Sequence, residues 1–304
     1  MPTDTLQLPR LVQHQIDRAS SRLMAGGSGP NWDFTAPTGE AALAAPDSVS
    51  WRVFKNPLSL FIGGVAAVIL ELAEPSVRDG VWQHSSFRTD ALTRLQRTGL
   101  AAMMTVYGPR SRAETMIAHV VRRHGQVTGH TSEGVPYEAN DPVLLDWVQA
   151  TASFGFMRAY HLYGHPLTAA ERDAFMAEAA PGARLYGATG APTSQAGLAA
   201  LFARMDPRLV RSPIIGEFLD IMERVPALPL PLRPVQRLLV RAAVDMVPPA
   251  LITRLGLERR TLSPWQCRLV RAAGAAADRI VLKDAPPAQS CVRMGLPADY
   301  LYRR

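Results

Sequence analysis

Between Pro57 and Pro75 the chain reads PLSLFIGGVAAVILELAEP, and this stretch constrains the fold more than any other. Proline opens a helix at its first position without losing a hydrogen bond, and a later proline stops or kinks it. The segment between them is apolar on nearly every side, so it needs neighbours all round and belongs in the centre of a bundle. Its longest apolar run, Leu58 to Leu70, falls short of the ~20 residues that span a bilayer. A buried core helix is expected. Local signals elsewhere predict helices almost throughout and no convincing alternating strand. The expected fold is all-α, a helical bundle of globin-like general character.

After the central helix, Thr89 or Asp90 can cap a second helix that Gly108-Pro109 ends. On it Leu92, Leu95, Gly99, Ala102 and Val106 make a core stripe, with Arg94, Thr98, Ala101 and Thr105 beside it. Ser111 and Glu114 have capping-box spacing, which predicts a helix from Arg112. There Ala113, Ile117, Val120 and His124 share one face, whereas His119 falls among Arg112, Thr115, Arg122 and Arg123. Gly125 to Asn140 reads as a loop. Asp141-Pro142 then starts a long aromatic helix closed by Gly164, and Thr168 with Glu171 makes a second capping box for a helix ending near Pro181. Pro226, Pro229, Pro231 and Pro234 mark a composition shift. The expected organisation is a lead-in over 1–49, flexible near Ala25 to Gly29, a compact core over 50–225, and a helical extension over 226–304.

Composition narrows the function. With 304 residues, 47% hydrophobic and 19% charged, the chain is an ordinary globular protein with room for a sizeable core. Lys55 and Lys283 are the only lysines, so the net charge of +7 is nearly all arginine. Those arginines are scattered and often sit beside apolar residues, with no basic stripe interleaved with aromatics, which argues against nucleic acid. An acidic cofactor or a membrane surface suits the charge. Cys267 and Cys291 lack disulfide or zinc spacing. The N-terminus lacks the order of a secretory signal, and a cytoplasmic location, with peripheral membrane contact as an option, is expected.

The chemistry concentrates at Arg94, Arg97, Thr98 and His124. A histidine on an apolar face is most often a satisfied core residue, but His124 directly precedes a helix-breaking glycine, and the preceding helix offers cations and a hydroxyl. A neutral imidazole is a good axial ligand for haem iron, and guanidinium forks suit propionates. No Cys-x-x-Cys-His attachment is present, so a haem would be non-covalent. Other readings are weaker. His161-x-x-x-His165 is interrupted by Gly164, which spoils the helix face of a zinc pair, and no Gly-x-Ser-x-Gly elbow points to a hydrolase.

Through LELAEPSVRDGVWQHSSFR, RLQRT, VYG, RRHGQV, EGVPYEANDPVLLDWVQAT and PLTAAERDAFMAE, the chain resembles the latex-clearing protein (rubber oxygenase) and MpaB-type oxygenases. The likeness is strongest over about residues 50 to 180. It implies a helical fold enclosing haem b and an enzyme that activates dioxygen. It also implies His124 as the iron ligand, with Arg94 and Thr98 lining the haem pocket. The position that holds an iron-ligating lysine in some rubber oxygenases is Arg97 here, and a guanidinium that stays protonated is a very poor iron ligand. Many members carry histidine where this chain has Glu74 and Gln149. Glu74, or Glu71 one turn earlier, becomes the candidate for the carboxylate base of rubber oxygenases. The resulting expectation is an oxygenase acting on a hydrophobic small molecule, by oxidative alkene cleavage for example, in a pocket lined by Trp147, Phe154 and Phe156. A haem carrier or sensor without turnover, and a membrane-peripheral helical protein without cofactor, stand as rivals.

Overall fold

The computed structural model describes residues 32–228 and 230–303; the expected flexible stretch near Ala25 to Gly29 lies outside them. The helices are α1 (Val49–Phe54), α2 (Pro57–Ala73), α3 (Pro75–His84), α4 (Ala91–Tyr107), α5 (Arg110–His124), α6 (Pro142–Ala159), α7 (Ala169–Glu178) and α8 (Ala180–Tyr186). They continue as α9 (Gln195–Met205), α10 (Pro213–Arg224), α11 (Arg233–Met246), α12 (Pro249–Leu255), α13 (Pro264–Ala277) and α14 (Pro286–Arg293). The fold is all-α, with one small antiparallel hairpin, β1 (Thr128–His130) and β2 (Pro136–Glu138).

Helix α2 is the axle. Asn56 caps it by accepting from the amides of Leu58 and Ser59, Pro57 occupies its first turn, and Ile62, Ile69, Leu70 and Leu72 are sealed from solvent. Its most extensive partner is α6, and α10, α11 and α13 complete the surround. Two glycines set the α2–α6 distance. A Cβ on Gly63 would lie 2.7 Å from the Gly155 carbonyl oxygen, and one on Gly155 would strike the Gly63 carbonyl. The backbones meet there because neither residue has a side chain.

No single helix among the described residues is long and apolar enough to cross a membrane. Helices α2 and α3 together have the length and composition, but they bend by 111° at Glu74, and most of their residues are buried in the protein.

Several local expectations need correction. Ser111 does not cap α5, because Ser111 and its amide both donate to Glu40, while Arg110 takes Glu114 as a partner one turn on. The helix consequently starts at Arg110. On α4 the buried residues are Leu100, Met104 and Tyr107, so the core stripe is rotated from the expected one and Gly99 faces open space. The loop after Gly125 contains the hairpin, which Tyr137 anchors by packing on Gly80 and Gly129. Helix α6 ends in a π-turn, Tyr160–Gly164. Beyond the proline-rich stretch from Pro226, α11 and α13 pack on α2. The second capping box, Thr168 with Glu171, is present with both of its hydrogen bonds.

Candidate active site

Four polar side chains converge, one from α2 and one from each of three neighbouring helices. Glu71 stands near the C-terminal end of α2, Arg94 on the first half of α4, His124 on the last turn of α5 and Thr151 midway along α6. Each is placed by its own element. Helix α5 ends where Gly125 donates back to Val121, and Asn140 donates to the same carbonyl at 3.2 Å, which holds the end bearing His124. Ala113 and Ile117 are buried on the face that leads to His124, and His119 is exposed.

Arg94 bonds along its own helix, Nη1 donating to Thr98 Oγ1 at 3.0 Å while that hydroxyl donates to the Arg94 carbonyl at 2.9 Å. Its guanidinium also lies over the Phe87 ring. Arg94 Nε is buried without a partner, and so is His124 Nδ1. A buried polar atom left unpaired costs about 1–3 kcal/mol. Two such atoms at one place mark a region shaped for something that will bond to them.

The electrostatics follow from enclosure. Burial raises the Glu71 carboxyl to about 7, against small opposing effects from Thr151 and Arg94. Thr151 Oγ1 lies 3.3 Å from Glu71 and 2.9 Å from the Val148 carbonyl. The hydroxyl has one proton to share between these two acceptors, and its donation to Glu71 opposes the rise that burial causes. Burial lowers Arg94 while Glu71 raises it. Burial, then the Arg94 cation, lowers His124. His124 is therefore neutral at physiological pH, the form that ligates metals. Glu71, Arg94 and His124 all retain some accessible surface although protein surrounds them, so they line a recess. Gly99, one helical turn beyond Leu95 on α4, opens onto free space.

Of the other expected site residues, Thr98 meets the site through its bonds to Arg94. Glu74 caps α3, accepting from the Val77 amide at 2.8 Å, and pairs with Arg208 at 2.6 Å. Both carboxylate oxygens of Glu74 are committed, whereas the Glu71 carboxyl is bonded only by the Thr151 hydroxyl among the described residues. Arg97 and Thr98 sit on the exposed side of α4. Gln149 donates to Ser153 on its own helix. Trp147 is fully buried against Phe202, and Phe156 packs on Phe54; both belong to the core. Phe154 lines a separate groove. Thr151 escaped the sequence reading, because a threonine amid apolar helix residues resembles any back-bonded hydroxyl.

The residues fit a haem on two counts: a neutral imidazole with an orphaned nitrogen, and beside it a guanidinium with an orphaned nitrogen. Among the described residues, no group of three or more His, Cys, Asp and Glu side chains is placed to hold a bare metal ion. Iron at His124 would thus need a prosthetic group for its other ligands.

Residues 51–279 match the family model described as ER-bound oxygenase mpaB/B'/Rubber oxygenase, catalytic domain. No curated protein and no solved structure matches the chain.

Proposed function

The chain belongs to the mpaB/rubber oxygenase catalytic-domain family, and from that premise we propose that it is a haem b-dependent oxygenase of a hydrophobic small molecule. The observation that carries the reading is the pair of orphaned buried nitrogens, His124 Nδ1 and Arg94 Nε, at one recess. A bound haem would supply the iron at which dioxygen is activated. His124 would hold that group through a ring nitrogen, since a neutral imidazole has a lone pair to offer a metal. Arg94 offers charge-assisted hydrogen bonds to an anionic group in the recess, with Thr98 fixing its orientation. Glu71, titrating at about 7, can take a proton from a substrate carbon or return one near neutral pH, where a general acid–base group works best.

Spectroscopy of the holoprotein tests the assignment. His124→Ala should abolish or strongly shift the Soret band, and His119→Ala on the exposed face should leave it alone. A normal band in the His124 variant refutes the ligand assignment. Oxygen uptake with isoprenoid, fatty-acid or polyisoprene substrates separates turnover from a carrier or sensor that binds haem without reacting.

A further inference from the structure

We infer that the groove between α6, α7 and α9 is a second binding site, for a single-chain amphipathic carboxylate of the fatty-acid class. The groove is lined by Phe154, Met157, Leu198, Ala199 and Phe202, and by three nitrogenous side chains, Arg158, His161 and Arg172. Its volume of about 570 Å³ lies in the roughly 300–1,000 Å³ range of small-molecule sites. It is a different place from the Glu71–Arg94–His124 recess, and none of its lining residues takes part there.

The floor and the rim have opposite chemistry. Phe154 and Phe202 meet at 5.1 Å between ring centroids, a continuous apolar strip suited to an alkyl chain. Arg158 lies over the Phe154 ring, and Arg172 is oriented by bonds from Nε to Gln195 Oε1 at 2.6 Å and from Nη1 to the Leu167 carbonyl at 2.8 Å. Neither arginine pairs with a carboxylate among the described residues. Like charges gathered without a counter-ion repel one another and gain when an anion joins them.

His161 supplies an independent sign. It sits in the π-turn that ends α6, a rare distortion that gathers at functional sites. Its Nδ1 accepts from the Leu167 amide at 2.9 Å, which fixes the tautomer and leaves the proton on Nε2. Burial, followed by Arg172 and Arg158, lowers its proton affinity, so a neutral ring offers one N–H donor beside two guanidinium forks. Planar, bidentate donors of this kind match a carboxylate. An alcohol of the same chain length would fill the floor but leave the cations unanswered.

The test is displacement of a dansyl-labelled undecanoate probe from the purified full chain, with decanoate and decanol as competitors. Decanoate should displace the probe, and decanol should be weaker by about tenfold, the worth of a charge-assisted hydrogen bond. Arg158→Gln, at an exposed position, should weaken decanoate by about tenfold and leave decanol unchanged. Ala199→Trp, also exposed, should fill the groove and abolish both. Equal competition by decanoate and decanol overturns the inference, as does a probe that ignores both substitutions and so binds elsewhere. These readouts involve no turnover, and the Soret band of each variant should match that of the unaltered protein whether or not the oxygenase reading holds.

Discussion

At the scale of single residues, the site works through groups whose protonation is set by enclosure, and Glu71 is the clearest case. Its carboxyl titrates at about 7 in the folded protein against an ordinary 4.5. A raised value means that the folded state favours the protonated form. The contribution is complete below the unfolded value and is lost as pH rises through about 7. Glu71→Gln should therefore change little at pH 5 and add about 1–3 kcal/mol at pH 8, reduced from the full shift because the recess is partly wet. Urea denaturation at the two pH values checks this, and equal differences at both would remove Glu71 as the group responsible. Arg97 gives the complementary case. A guanidinium is a very poor iron ligand, whereas a lysine there could lose its proton and coordinate. The expected result for Arg97→Lys in the haem-loaded protein is a low-spin spectrum that grows with pH; an unchanged spectrum at every pH puts this position out of reach of the iron.

At the scale of elements, two glycines with opposite surroundings separate packing from propensity. Gly63 on α2 has the Gly155 backbone where a side chain would go. Gly63→Ala should therefore lower stability by about 1–3 kcal/mol, the cost of forcing extra volume into a packed contact. Gly99 on α4 has nothing within 4 Å, and Gly99→Ala should raise stability by about 0.5–1 kcal/mol through helix propensity alone. Thermal unfolding of the two variants decides it; a loss at Gly99 as large as that at Gly63 would mean that the space before α4 is filled. The capping boxes teach the same lesson. Thr168 and Glu171 made theirs because nothing else competes for Thr168, whereas Ser111 was taken by Glu40, seventy-one residues earlier in the chain. Spacing announces a cap, but a stronger partner brought in by the fold can claim it.

At the scale of the whole molecule, buried polar side chains knit the C-terminal segment to the beginning of the core. Lys55 pairs with Asp278 at 3.2 Å, and Asp278 also receives Asn56 and Tyr160. Arg293 on α14 is 1% exposed and donates to the carbonyls of Phe34, Glu40 and Tyr107. Arg293→Met keeps much of the volume but takes the side-chain donor from the carbonyls of Phe34 and Glu40, while Tyr107 keeps Ser290, and should cost about 3–5 kcal/mol in equilibrium unfolding. A cost under about 1 kcal/mol would show α14 to be a peripheral attachment, since a net surface bond is worth no more.

Sequence by itself determined the helical class, because the apolar periodicity, the prolines at helix starts and the Asn56, Asp90 and Asp141 caps act over a few residues. It also determined the face of α5 that carries His124, for the same local reason. Tertiary structure decided what those faces meet. Glu71 and Glu74 stand three residues apart and look alike in the chain; only the arrival of Arg208 and the Val77 amide occupies Glu74, and only enclosure by α4 and α6 shifts Glu71. The rotation of α4 that turns Gly99 outward, and the π-turn that aims His161 at its groove, likewise depend on neighbours far off in sequence. Burial and long-range partners are collective properties, and no local pattern encodes them.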